Sequence, residues 1–288
     1  LSAYRFCRTD DIALLVDALN RCWAPSFPDE PPTTAAAFKR SIRDLQVWCS
    51  SCMVAFSGSD PVGVLIGAKR PAATLIHKIA VHPDHRRQGH ARHLLASLGS
   101  KLAILGPPRI VAEVPEAFLP ACELFSAGGY VEEATLTDYV LEQGTADGRE
   151  GSGRFVIPAT VDDLAANGLF EEAGPQACWE RSVETLTARK DDIAGLAIAS
   201  DERIEACVLY ANDGEIVWLR TFVEDDGARL KQLMTELRAR GMRTLRFPKV
   251  HPAELSQDFL QSPGLFPAAR YRLYATRAQP DAPSARTP

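Results

Sequence analysis

At 288 residues with 46% hydrophobic content, the chain is long enough for about two domains with ordinary packed cores. Its 32 Lys and Arg against 37 Asp and Glu leave a net charge of −5, which argues against a nucleic-acid track, and no apolar run approaches the roughly 20 residues of a membrane span. Seven cysteines, an odd number scattered through apolar segments, read as reduced thiols and place the protein in the cytoplasm.

In chain order the first half reads as a strand at Tyr4 to Arg8, a helix at Asp10 to Cys22, a Pro-rich stretch from Ala24 to Pro32 and a helix at Thr33 to Leu45. The opening strand and amphipathic helix do not resemble a signal peptide. Cys49-Ser-Ser-Cys52 has a metal or redox spacing, but no second such pair lies nearby, and the pair reads better as two small buried residues at a strand start. Strands follow at Cys52 to Phe56 and Val62 to Lys69, joined by the turn Ser57-Gly-Ser-Asp-Pro61. Then come a strand at Thr74 to Val81, a helix at Gly89 to Ile104, a strand at Arg109 to Val114, a helix at Phe118 to Ala127 and a strand at Asp138 to Glu142.

The junction Val81 to Leu95, VHPDHRRQGHARHLL, is the most telling segment. A strand ends, a basic Arg/Gln/Gly loop follows, and Ala91, Leu94, Leu95, Leu98 and Leu102 then recur at helical spacing. Such a helix start offers unpaired N–H groups and the positive end of the helix dipole to an anion, with Gly89 allowing close approach. Five of the six histidines (His77, His82, His85, His90 and His93) fall here, beside Lys78, Arg86, Arg87 and Arg92. A solvated basic helix start is the plain alternative.

The pattern Arg86-x-x-Gly89-x-Ala91 after an apolar strand resembles the coenzyme A pyrophosphate loop of the GCN5-related N-acetyltransferase (GNAT) family. The element order β-α-α-β-β-β-α-β-α-β resembles that fold across the whole first half. The resemblance implies that Ile79, Val81, Arg86, Arg87, Gln88, Gly89, His90, Ala91 and Arg92 bind acetyl-CoA. Pantetheine would lie between the strand ending at Val81 and Arg109 to Val114, and the phosphates on the N–H groups of Arg87 to Arg92.

The second half repeats the order more faintly. A strand at Arg154 to Pro158 precedes helices near Val161 to Leu169 and Cys178 to Arg189, with strands at Ala194 to Ala199, Ile204 to Ala211 and Glu215 to Val223. A helix at Ala228 to Gly241 and strands at Thr244 to Lys249 and Arg270 to Thr276 complete it. In place of the basic loop stands Glu224-Asp-Asp226-Gly227, whose carboxylates would repel a pyrophosphate, although they also suit helix capping. The expected organisation is a GNAT domain at 1–143, a Gly-rich linker at 144–153, a degenerate GNAT-like domain at 154–277 and a disordered tail at 278–288. The fold class is then α/β (α+β): two GNAT folds in tandem, with mixed, mostly antiparallel sheets flanked by helices.

Acetyl transfer to an amine needs a base or relay for the amine proton, a donor to the thioester carbonyl and a proton for the leaving thiolate. His77 lies four residues before Val81, on the same face by period-two alternation, and is the candidate for the first role; a structural histidine fits that single spacing as well. In the family the carbonyl donor is backbone of the strand ending at Val81, and a Tyr on the later helix can protonate the thiolate. Gly129-Tyr130 marks that helix end, and the Tyr position holds Phe125, which has no proton to give. Solvent, or Tyr139, would then serve.

Acceptor recognition falls to Trp23 and Phe27, with Asp29 and Glu30 attracting a protonated amine; core packing of the two rings is the alternative. The expected activity is acetyl-CoA-dependent N-acetylation of a primary amine on a small molecule or peptide. No metal, nucleic acid or membrane takes part, and the chain is expected to act as a monomer whose second half stands where dimeric relatives have a second subunit. A non-catalytic acyl-CoA binding or sensing protein is the alternative.

Overall fold

The computed structural model describes residues 2–141, 155–170, 178–211 and 213–279. The expected linker at 144–153 and nearly all of the expected tail lie outside these residues. The chain divides into two compact units, the first made of Leu1–Glu133 with Arg272–Pro288 and the second of Ala134–Tyr271. Two strands therefore change unit along their length. Val131–Leu141 begins in the first and ends in the second, and Phe266–Arg277 does the reverse.

In the first unit, β1 (Ser2–Phe6), β2 (Met53–Ser57), β3 (Asp60–Lys69) and β4 (Thr74–Val81) form an antiparallel run. The strand β5 (Arg109–Pro115) joins β4 in parallel. Beyond it lie the closing residues of the chain's last strand and the opening residues of Val131–Leu141. The helix α1 (Ile12–Cys22) buries Leu15, Ala18, Leu19 and Cys22, a stripe at helical spacing. For α2 (Ala35–Leu45), the Thr34 side chain accepts the Ala37 N–H at its start, and Gln46 ends it in the left-handed region at φ 59°. The helix α3 (His90–Leu105) buries Leu94, Leu95, Leu98 and Leu102, each worth about 2 kcal/mol of apolar transfer. After β5 comes α4 (Leu119–Ala127), then β6 (Val131–Leu141).

The core of this unit joins Met53, Leu65, Ile76, the α3 leucines, Ile110, Phe125, Tyr130 and Tyr274. Tyr274 is contributed by the last strand. Its ring stacks on Phe125 with centroids 5.8 Å apart, and the nearby Ala278 N–H donates to the Pro108 carbonyl at 2.6 Å.

The second unit holds the antiparallel sheet of β7 (Val156–Ala159), β8 (Ile193–Ala199), β9 (Ile204–Ala211) and β10 (Ile216–Thr221). Its helices are α5 (Val161–Ala166), α6 (Val183–Ala188), α7 (Ala228–Ala239) and α8 (Gln257–Gln261). The strand β11 (Leu245–Val250) pairs antiparallel with the later part of β6, and β12 (Phe266–Arg277) follows α8. Thr160 opens α5 with a reciprocal capping box to Asp163. A buried ion pair, Arg181 to Glu254 with both Nη–O distances 2.7 Å, sits under the Phe247 ring. The segment read as a helix from Cys178 to Arg189 is a 3₁₀ turn at Trp179–Arg181 followed by α6, because Ser182 is extended at φ −67°, ψ 159° and restarts the helix as its cap. The helix α8 has no counterpart in the reading of the sequence.

Candidate functional site

The site in the first unit begins where β4 leaves its neighbours. Its pairing with β5 is confined to Thr74–Ile110 and Leu75–Val111, so the two strands part beyond Leu75. On its other side β4 pairs with β3 through Gly63–Val81, Leu65–Ile79 and Gly67–Ile76, and the register slips between Ile66 and Gly67. His77 is the extra residue of that β-bulge. This corrects the period-two argument: counting back from Val81, the shared face passes through Ile79 to Ile76 rather than to His77. A bulge re-aims the side chain it carries, and such bulges concentrate beside active sites.

Beyond Val81 the chain makes a 3₁₀ turn at Pro83–His85 and enters α3 through Arg87 at φ 62° and Gly89 at φ 87°. Only a residue without a Cβ adopts the Gly89 backbone without strain, and nothing lies within 4 Å of where its Cβ would be. Among the described residues, no protein acceptor takes the backbone N–H groups from Arg87 to Arg92. Six successive free donors at a helix start, in a left-handed turn, form a concavity suited to phosphate oxygens.

The side chains around this loop are placed less uniformly. Arg86, itself exposed, is tied back to the protein, its Nε donating to the Val81 carbonyl at 3.2 Å and its Nη2 to Ser26 Oγ at 2.8 Å. Gln88 donates to the Asp84 carbonyl, and Arg87 and Arg92 are exposed. The His90 ring, expected at the cofactor loop, is buried instead: its Nδ1 meets the Tyr4 hydroxyl at 2.8 Å. Burial, with His85 and His93 nearby, holds its imidazole below the usual range. His93 lies against the Tyr4 ring at 3.7 Å. Thus the His90 contribution available to a ligand is its backbone N–H, which helix periodicity alone could not distinguish from its ring.

Trp23 and Phe27 stack at 4.2 Å, and Phe118 meets Phe27 edge-on at 5.5 Å. Glu30 accepts the Trp23 indole N–H at 2.9 Å and pairs with Lys78 at 3.2 Å. Phe118, Ser26 and Lys78 were not legible as site residues, since each is defined by a contact distant in sequence. Phe125 is 2% exposed, packed edge-on against Tyr130 at 5.1 Å. Tyr139 belongs to the core of the second unit, where burial raises its pKa, and is not part of the first unit's site.

The cysteines of the Cys49–Cys52 pair are free and buried, burial raising both thiol pKa values, with Cys52 donating to the Trp48 carbonyl. Burial likewise pushes Cys7 up to about 12. Among the described residues no cluster of three or more His, Cys, Asp or Glu side chains could hold a metal ion, and no helix is long and apolar enough to cross a membrane.

The second unit has the same backbone device with different contents. Gly227 at φ 79° opens α7 as Gly89 opens α3, and Glu215, just before β10, forms an isolated parallel bridge with Arg246 of β11. Here the donors are taken. Asp225 Oδ1 accepts the Gly227 N–H at 3.2 Å, Asp225 Oδ2 accepts the Arg229 N–H at 2.9 Å, and the Asp225 carbonyl accepts the Ala228 N–H at 3.0 Å. The adjoining cavity of about 890 Å³ is lined by Ile204, Phe222, Phe259, Glu224, Asp226 and Arg220, among others. It lies within the second unit and contains none of the residues just described for the first.

Residues 12–130 match the acetyltransferase (GNAT) family, over the segment that holds the parted strands and the free N–H groups. This segment is a GNAT domain. No curated protein matches the sequence. Among solved structures, a tandem GNAT protein from the clavulanic acid biosynthesis pathway is 18% identical with a TM-score of 0.67, covering 98% of this chain and 100% of that one. A GCN5-related N-acetyltransferase from Sphaerobacter thermophilus is 16% identical with a TM-score of 0.67, covering 97% and 96%. One from Kribbella flavida is 17% identical with a TM-score of 0.62, covering 96% and 70%. At these identities the likeness concerns the fold. The chain has the tandem GNAT fold, and the family match falls on the half whose helix start leaves its N–H groups open.

Proposed function

We propose that this protein is an acetyl-CoA-dependent N-acetyltransferase that acetylates a primary amine by direct attack on the thioester, with its active site in the first unit. The observation that carries this reading is the contrast between two similar helix starts. At α3 the N–H groups of Arg87 to Arg92 are free, whereas at α7 the Asp225 carboxylate and carbonyl take those of Gly227, Ala228 and Arg229.

When bound, acetyl-CoA supplies the activated acyl group. The residues present fit it: six backbone donors and the dipole of α3 hold the phosphates, Arg87 and Arg92 add positive charge, and the parting of β4 from β5 makes room for an extended arm. Backbone at Ile79 and Val81 lines that gap on the β4 side. His77, at the bulge, takes the proton of the incoming ammonium so that a neutral amine can attack. With Phe125 at the expected acid position, the departing thiolate takes its proton from solvent, which its pKa near that of free cysteine, about 8.5, permits. Trp23 and Phe27 face the acceptor. The second unit is the degenerate repeat, and the chain acts as a monomer in the reducing cytoplasm, a placement supported by its seven free, buried cysteines.

The test is thiol release from acetyl-CoA with a panel of primary amines, followed by the pH–rate profile of His77→Gln. Turnover with at least one amine, and loss of the acidic limb in the variant, are expected. The buried Phe125 favours one second reading, a non-catalytic acyl-CoA sensor, which predicts coenzyme A binding with no turnover above hydrolysis for any amine.

A further inference from the structure

Two connections of the first unit meet in a half-buried aromatic group. Trp23 and Phe27 come from the segment between α1 and α2, and Phe118 comes from the segment between β5 and α4. An ammonium already sits on this group. Lys78 Nζ lies 4.4 Å from the Trp23 ring centroid and 3.2 Å from Glu30 Oε2. The carboxylate is itself aimed by the indole, whose N–H donates to Glu30 Oε2 at 2.9 Å. A π face and a carboxylate set around one point are the elements that recognise an alkylammonium group.

The pair is not built as a rigid strut. The Glu30 side chain is 48% exposed and that of Lys78 is 21% exposed, so the contact adds little to stability and exchanges readily. Lys78 carries its charge on a flexible four-carbon stem, which can withdraw. Its position is the second observation. Lys78 follows the bulge residue His77 and precedes Ile79, in the stretch of β4 that has parted from β5.

We infer that Trp23 and Glu30 form a seat for a second, cationic group of the acceptor, occupied in the free protein by Lys78, and that the acceptor is an aliphatic diamine or a molecule carrying one. The inference rests on the acetyltransferase reading above. The attacking nitrogen must be neutral, while the seat favours a charged one, so a single amine cannot satisfy both demands at once. Consecutive Cα atoms are about 3.8 Å apart, so the seat stands one lysine stem from the strand segment proposed to hold the thioester. Two nitrogens separated by four or five carbons match that span. A second ammonium displaces Lys78 and orients the first nitrogen.

The test is calorimetric titration of the full chain with 1,4-diaminobutane, using 1,4-butanediol as the uncharged control. Lys78→Met keeps the stem and removes the competing charge; about tenfold tighter diamine binding is expected, with the diol unchanged. Glu30→Gln in the otherwise native chain is expected to weaken diamine binding about tenfold, and in the Lys78→Met background to cancel the gain. Unchanged diamine affinity in Lys78→Met, an equal gain for the diol, or a gain that survives Glu30→Gln would each overturn the seat. Binding is read without acetyl transfer, so the expected binding pattern without thiol release from acetyl-CoA would refute the enzyme and leave the seat standing.

Discussion

The Asp225 carboxylate holds Arg229 twice, accepting its backbone N–H at 2.9 Å and its guanidinium at 2.7 Å. One side chain thereby both caps α7 and puts a negative charge where α3 leaves its donors open. Arg229 also reaches Glu205 at 2.8 Å, so the helix start is neutralised from within the unit.

Asp225→Ala is therefore expected to lower stability by about 1–2 kcal/mol, the usual loss of a good N-cap plus part of a charged hydrogen bond. Urea unfolding of the full chain measures it. The same variant should leave the affinity of the first unit for acetyl-CoA unaltered, because the N–H groups proposed to hold the phosphates belong to the first unit and Asp225 to the second. A change in that affinity would contradict the division of labour between the two helix starts.

The buried His90, hydrogen-bonded to the half-buried Tyr4, makes the first unit sensitive to mild acid. The native pKa of His90 lies below the ordinary histidine value of about 6.5, so between the two values the unfolded chain binds more protons and stability rises with pH. This contribution is complete above about pH 6.5 and is lost as pH falls through the native value. His90→Asn should remove the dependence while costing about 1 kcal/mol at pH 7 from the Tyr4 contact. Comparing urea midpoints at pH 7.5 and pH 5.5 checks both; a variant that loses as much as the native chain on acidification would exclude His90 as the source.

Tyr274, 2% exposed and stacked on Phe125, ties the end of the chain to the core of the first unit. Tyr274→Ala should cost about 3–5 kcal/mol, as for other large aromatic truncations. A fragment ending at residue 143 lacks the segment Arg272–Arg277 and should show no cooperative thermal transition. A fragment that melts cooperatively and binds acetyl-CoA would mean that the last strand is dispensable.

Much of the first unit was readable because its signals are local. Thr74–Val81 is bounded by Pro71 and Pro83 and was placed to the residue, and Gly89 marked the start of α3 to within one position. The strand β6 was read only from Asp138 because Val131-Glu-Glu-Ala-Thr shows no alternation; its exposed opening residues carry no burial signal. The return of Arg272–Arg277 to the first unit was illegible, since strand exchange is decided by a partner some hundred and fifty residues away. The bulge at His77 was hidden for a related reason: period two assumes an unbroken register, and the extra residue is visible only against β3. For Asp225, repulsion and capping were both readable in the acidic loop, and capping is the role its contacts show.

The most direct measurement is calorimetric titration of the full chain with acetyl-CoA, repeated with the double variant Gly89→Asp, Arg86→Ala. Gly89→Asp places a carboxylate and a strained backbone at φ 87° inside the loop proposed to hold the phosphates. One site per chain is expected in the native protein, with affinity reduced at least about a hundredfold, some 2.7 kcal/mol, in a variant that still melts cooperatively. Two sites per chain, or undiminished affinity in the folded variant, would contradict a single donor site at the start of α3.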